Sequence, residues 1–180
     1  GGLGNLPRTF ERNLFVFLGG TIGNFSTEEA NTFLSELRKS MTAQDLLLIG
    51  ADRVKEPDIL HAAYNDGEGI TAEFNLNLLE VLNRELDADF NIAEFQHYAY
   101  YNPLLSQIEM HLVSMRDQKI RMGSLDKEIH FSEGDHILTE ISRKFTRAEL
   151  EKLLVDAGFR IEKHYESAEM KFSLVLAGVD

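Results

Sequence analysis

Cysteine is missing altogether from the 180 residues. A disulfide framework, a thiolate zinc site and a cysteine nucleophile are therefore excluded, and the composition fits a cytoplasmic protein. Positive charge is scarce: 18 Lys and Arg face 30 Asp and Glu, for a formal charge of −12. Such a surface repels phosphate backbones and anionic lipid, so neither nucleic acid nor a membrane is an expected partner. No apolar run approaches the ~18 residues that span a bilayer, and the opening GGLGNLPR lacks the apolar stretch of a signal peptide. Catalytic and ligand motifs are also wanting. Gly19, Gly20 and Gly23 do not form G-x-G-x-x-G, and no Lys-Ser/Thr pair follows them as a phosphate loop requires. The six histidines show no H-E-x-x-H spacing and no i,i+4 pair, so no metal site is expected. No Ser-His or Cys-His arrangement points to nucleophilic catalysis.

What is present is the composition of a single globular domain, 43% apolar and 27% charged. The stretch LFVFLGGTIGNF, Leu14 to Phe25, organises it. Leu14 to Leu18 reads as a strand covered on both faces. The glycines then form a bare loop, and Ser26 with Glu29 makes a capping box for a helix. Strand, loop and helix start in this order make the usual ligand edge of an open α/β sheet, a structural turn being the alternative. Asn24 adds an amide with donors and an acceptor at that edge.

Residues 1 to 11 read as a loop. Ala30, Phe33, Leu34, Leu37 and Met41 recur at helical spacing, and Leu46 to Ile49, closed by Gly50, is the next strand of a parallel βαβ unit. Pro57 suits a first helical turn, and that helix breaks at Asn65-Asp66-Gly67 just after Tyr64. Ile70 to Leu86 carries a second amphipathic pattern in which Asn75 and Asn77 are unexpected. Ala93 to Asn102 and Ile108 to Ser114 alternate as strands, the latter half-buried, and short strands flank Gly123. ILTEIS, from Ile137, is a further strand in which Glu140 must find donors or shift its pKa. Thr146 and Glu149 cap a helix that ends at Gly158, and two strands, Phe159 to Tyr165 and Phe172 to Ala177, close the chain. Small polar groups at element ends, Asn24, Tyr64, Glu140 and Ser142 with Met110, suit a polar small molecule, and group transfer with an external cofactor is the natural chemistry.

Five ordered blocks, FLGGTIGNF, LLLIGADRVKEPDIL, the AYND to TAEFNLNLL stretch, IEMHLVS and LTEISRKF, resemble the S-adenosylmethionine-dependent histidine Nα-methyltransferases of ergothioneine biosynthesis. The resemblance runs from about Leu14 to the end. It implies an α/β fold, the C-terminal part of a Rossmann-like class I methyltransferase sheet with an inserted α+β region. The implied division is 1–56 methyltransferase core, 57–142 inserted substrate-binding region and 143–180 return to the core. It also implies trimethylation of the α-amine of histidine to its betaine, hercynine, with S-adenosylmethionine as cofactor. Under it, Asn24 and the Gly19 backbone hold the substrate amine and carboxylate, Tyr64 is a carboxylate ligand, Glu140 and Ser142 face the imidazole, and Met110 lines the same pocket. Gly19 and Gly20 would contact the cofactor, whose other loop, with the acidic ribose ligand, is expected upstream of residue 1. A relative acting on another amino acid and a non-catalytic amino-acid-binding module are the alternatives.

Overall fold

In a computed structural model the chain is described over residues 11–169 and 171–179. The loop expected over residues 1 to 11 lies, apart from Glu11, outside the described residues. Two compact units result. The first holds the described residues up to Lys55, Pro103–Gln107 and the described residues from Ser142 on, and the second holds Glu56–Asn102 and Ile108–Ile141.

The first unit is built on a mixed sheet of β1 (Leu14–Phe17), β2 (Leu46–Asp52), β8 (Phe159–Ser167) and β9 (Phe172–Val179) in the order β1-β2-β9-β8. β1 and β2 pair in parallel through α1 (Thr27–Ser40), while β9 runs antiparallel to both its neighbours. α1 starts where Ser26 Oγ accepts from the Glu29 N–H and Glu29 reaches back to the Ser26 N–H, which satisfies two of the helix's orphan donors. The same reciprocal cap, Thr146 with Glu149, starts α4 (Arg147–Asp156), and Gly158 at φ +87° turns the chain out of it. α1 contributes Ala30, Leu34 and Leu37, and α4 contributes Leu150, Leu153 and Leu154, to one core with Leu47, Ile49, Val175 and Ala177 of the sheet. Each of the larger side chains contributes about 1.5–3 kcal/mol by leaving water.

Two expectations change here. β1 is covered on one face only: Leu14 and Val16 are 53% and 55% exposed, while Phe15 and Phe17 pack on the core. Among the described residues β1 is an edge strand with a single neighbour, and an apolar run by itself cannot report that. β2 also does not end at Gly50 but continues to Asp52. The glycine leaves room for a ring from β9, since a Cβ there would sit 2.9 Å from Phe172 Cζ.

The second unit sets α2 (Pro57–Tyr64) and α3 (Ile70–Leu86) with β3 (Phe95–Asn102), β4 (Gln107–Ser114) and β7 (His136–Arg143), a sheet in the order β3-β4-β7. A separate hairpin pairs β5 (Gln118–Met122) with β6 (Lys127–Phe131). Pro57 occupies the first turn of α2 as expected. α3 begins at the Asp66 carboxylate, which accepts from the N–H groups of Ile70 and Thr71. Those bonds, with the Thr71 side chain as the largest contributor, lower its pKa to about 2. The expectation of a half-buried β4 is corrected: this central strand is buried almost throughout, with Glu109 and His111 inside. Glu109 is held by the Tyr100 hydroxyl at 2.7 Å and Asn102 Nδ2 at 2.9 Å. Burial first, and His136 beside it second, hold the His111 imidazole below its ordinary pKa.

Candidate functional site

In the first unit the candidate residues collect at the carboxyl ends of β1 and β2. Gly19 and Gly20 take φ +80° and +72°, left-handed geometry that L side chains rarely adopt. They lead into a 3-10 helix, Thr21–Asn24, rather than directly into α1. Among the described residues a Cβ at Gly19 would meet only Thr21 Oγ1 of its own loop, at 3.5 Å. Gly20 lies over the end of β2, where a Cβ would stand 3.9 Å from the Asp52 nitrogen. Gly23 is the tight point. A Cβ there would fall 2.7 Å from the Arg143 carbonyl oxygen and 3.2 Å from its nitrogen, so the helix that presents Asn24 lies directly on the backbone that presents Ser142. Asn24 is exposed and Ser142 is buried.

The segment after Ser142 is tied to the end of β2. The Phe145 N–H donates to the Asp52 carbonyl at 2.9 Å, and the Val54 N–H donates to the Phe145 carbonyl at 3.2 Å. This brings Lys144, with a side chain 1% exposed, within 3.1 Å of Asp52 Oδ2 and 2.8 Å of Ser142 Oγ. Lys55 Nζ meets the other Asp52 oxygen at 2.6 Å. A buried ammonium is tolerable only when paired and hydrogen-bonded, and Asp52 and Ser142 supply both. The sequence reading left Lys144 out. No local pattern signals it, because a lysine just past a strand ordinarily reads as a solvated residue.

In the second unit Tyr64 ends α2 and packs with Met110, Leu60, Ala99, Ile108 and Tyr101. Met110 is only 3% exposed, so its contribution is as a wall of this cluster. A polar relay secures the end of α2. His97 Nε2 lies 2.9 Å from the Tyr64 carbonyl, which accepts, so that nitrogen carries the proton. His97 Nδ1 then accepts from Asn75 Nδ2 at 2.9 Å, and the same amide donates to the His111 carbonyl at 3.1 Å. Asn65 clamps the adjoining turn to β3, its Nδ2 donating to the Ala99 carbonyl and its Oδ1 accepting from the Ala99 N–H. Asn75, noted in the sequence as an anomaly of the apolar face, therefore has a positioning role. Glu140, half-buried on β7, lines a cavity of about 220 Å³ with Thr139, Asn75, Asn77, Phe74 and Leu78, and Thr139 is pinned by its bond to the Met110 carbonyl at 3.0 Å. No group of three or more His, Asp or Glu able to hold a metal occurs among the described residues.

The family described as histidine-specific, SAM-dependent methyltransferase matches residues 1–179. The chain is 41% identical over 175 residues to a histidine N-alpha-methyltransferase of Mycolicibacterium smegmatis, covering 97% of this chain and 54% of that protein. It is 42% identical over 166 residues to the protein of the same name from Mycobacterium tuberculosis, with 92% and 52% covered. An L-tryptophan methyltransferase of Psilocybe serbica is 33% identical over 147 residues, with 79% and 40% covered. The chain thus spans about half the length of the curated relatives it matches.

Proposed function

The chain belongs to the histidine-specific, S-adenosylmethionine-dependent methyltransferase family, and from that premise we propose that it carries the substrate-binding part of an enzyme that methylates the α-amine of histidine. The observation that carries this reading is the Gly23 approach, which holds Asn24 and Ser142 on adjoining backbone at the glycine-loop edge of the sheet. From the first unit, Asn24 and the Gly19 backbone take the amine and carboxylate, and Ser142 faces the ring. From the second, Tyr64 takes the carboxylate, Glu140 accepts from the ring N–H, and Met110 walls the ring. Residues 57–142 serve as the inserted substrate-binding region, and 1–56 and 143–180 as core.

Gly19 and Gly20 fit the cofactor's needs, since their left-handed, side-chain-free backbone allows close approach. S-adenosylmethionine, when bound, supplies an electrophilic methyl group on sulfonium. The chain's own residues then bind the amino acid, orient its amine in line and exclude water, and such positioning is worth several kcal/mol of the barrier. None of them has to act as a strong base if the amine becomes neutral on binding.

The homology to both histidine and tryptophan enzymes makes the ring partners the deciding feature. The test is methylation by the full-length protein with S-adenosylmethionine, followed by mass spectrometry for successive methyl additions. Turnover of histidine to its trimethyl betaine in preference to tryptophan is the expected result. Methylation of tryptophan with histidine inert overturns the substrate assignment, and binding of histidine without any methyl transfer reduces the protein to an amino-acid-binding module.

A further inference from the structure

The buried Lys144 bears on how the substrate ring is read. Its Nζ lies 2.8 Å from Ser142 Oγ and 3.1 Å from Asp52 Oδ2, with the side chain 1% exposed. An ammonium group has three donors and no acceptor, so at this contact the serine oxygen accepts. A serine hydroxyl ordinarily rotates and either donates or accepts. Here Lys144 takes one of the oxygen's two lone pairs and the single proton points away from it, which favours Ser142 as a donor to a further partner. Asp52, itself held by Lys55 at the end of β2, is the ammonium's charged partner.

We infer that Lys144 is a positioning residue that sets Ser142 as a hydrogen-bond donor toward the substrate ring, and so makes the enzyme select a ring nitrogen with a lone pair. The inference rests on the reading above that Ser142 faces that ring. The two ring partners then ask for opposite things: Glu140 needs a ring N–H, and Ser142 needs a bare nitrogen. Neutral imidazole offers one of each. Indole has an N–H and no bare nitrogen, and a phenyl ring has neither. Specificity of this kind arises because a site built to hydrogen-bond leaves its own polar group unpaired with the wrong ligand.

The test is a double-mutant cycle in the full-length enzyme, with Ser142→Ala, Lys144→Met and the pair, assayed on histidine and on phenylalanine or tryptophan. Lys144→Met is expected to raise KM for histidine about tenfold, the size of one lost hydrogen bond, with a smaller change for the ring lacking a bare nitrogen. In the Ser142→Ala background the same change should cost histidine less than about threefold, because the group through which Lys144 acts is gone. Lys144→Arg, which keeps charged donors, should recover part of the histidine KM. Lys144→Gln, which keeps a donor without the charge, carries the same cycle if the methionine variant does not fold. An equal loss in both serine backgrounds, or an equal loss for both ring types, makes Lys144 a purely structural residue and overturns the inference. A Ser142→Ala enzyme with unchanged histidine KM instead removes Ser142 from the ring site, and with it the reading on which the inference stands.

Discussion

Gly23→Ala is the sharpest perturbation the structure offers, because it adds one methyl group where two backbones meet. The new Cβ would fall 2.7 Å from the Arg143 carbonyl oxygen, whereas ordinary contact begins at 3.4 Å. About 0.7 Å must open between the turn carrying Asn24 and the strand end carrying Ser142. Neither side yields cheaply. The obstacle is main chain rather than a flexible side chain, and the adjoining Ile22 is fully buried. Overpacking of this kind costs about 1–3 kcal/mol. A misplacement approaching 1 Å in a site that works by positioning costs on the order of 10²-fold in rate, so a tenfold to hundredfold fall in kcat/KM for histidine is expected. The assay pairs the thermal unfolding midpoint with steady-state kinetics of the full-length enzyme. Gly67→Ala is the control, because none of the described residues lies within 4 Å of a Cβ there, and it should change stability by less than about 0.5 kcal/mol. A Gly23→Ala enzyme with the parent's midpoint and kcat/KM would refute the close approach and the site built on it.

Further outcomes follow from the same geometry. Asn24→Ala should weaken histidine binding by about 1–3 kcal/mol, read as a rise in KM, and unchanged kinetics would take Asn24 out of the site. Glu140→Ala should lower kcat/KM for histidine by about tenfold, a loss of ~1.4 kcal/mol, while tryptophan loses less or gains. Competition between the two amino acids in one assay checks it, and an unchanged ratio counts against a ring-reading carboxylate. Asp45 governs acid stability. Burial by itself would raise its pKa, but the hydrogen bonds from Thr42 and Asn13 outweigh burial and hold the carboxyl well below the usual range. A folded-state pKa below the unfolded value of about 3.9 means that its contribution is complete above that pH and is lost as pH falls toward the folded value. Asp45→Asn should therefore lower the urea midpoint at neutral pH and flatten its decline below about pH 4, and parallel acid limbs in the two proteins would exclude this role.

Short-range patterns decided more of this protein than its function required. Both capping boxes, the proline that opens α2, the full extent of α3 and the parallel pairing of β1 with β2 through α1 were legible from spacing of a few residues. Such signals are local because helix capping and helical faces join residues three or four apart. The residues of the candidate site were named from five ordered blocks that resemble a family. Tertiary structure alone decided what surrounds them. The ring of Phe172 over Gly50 and the relay from Asn75 through His97 to Tyr64 join residues far apart in sequence. Lys144 is the clearest case. Its side chain would be a solvated charge on almost any strand end, and only the bonds that lay Phe145 along the end of β2 bury it between Asp52 and Ser142. Burial turns an ordinary lysine into a fixed donor, because in low dielectric an ammonium must keep its partners or leave the interior.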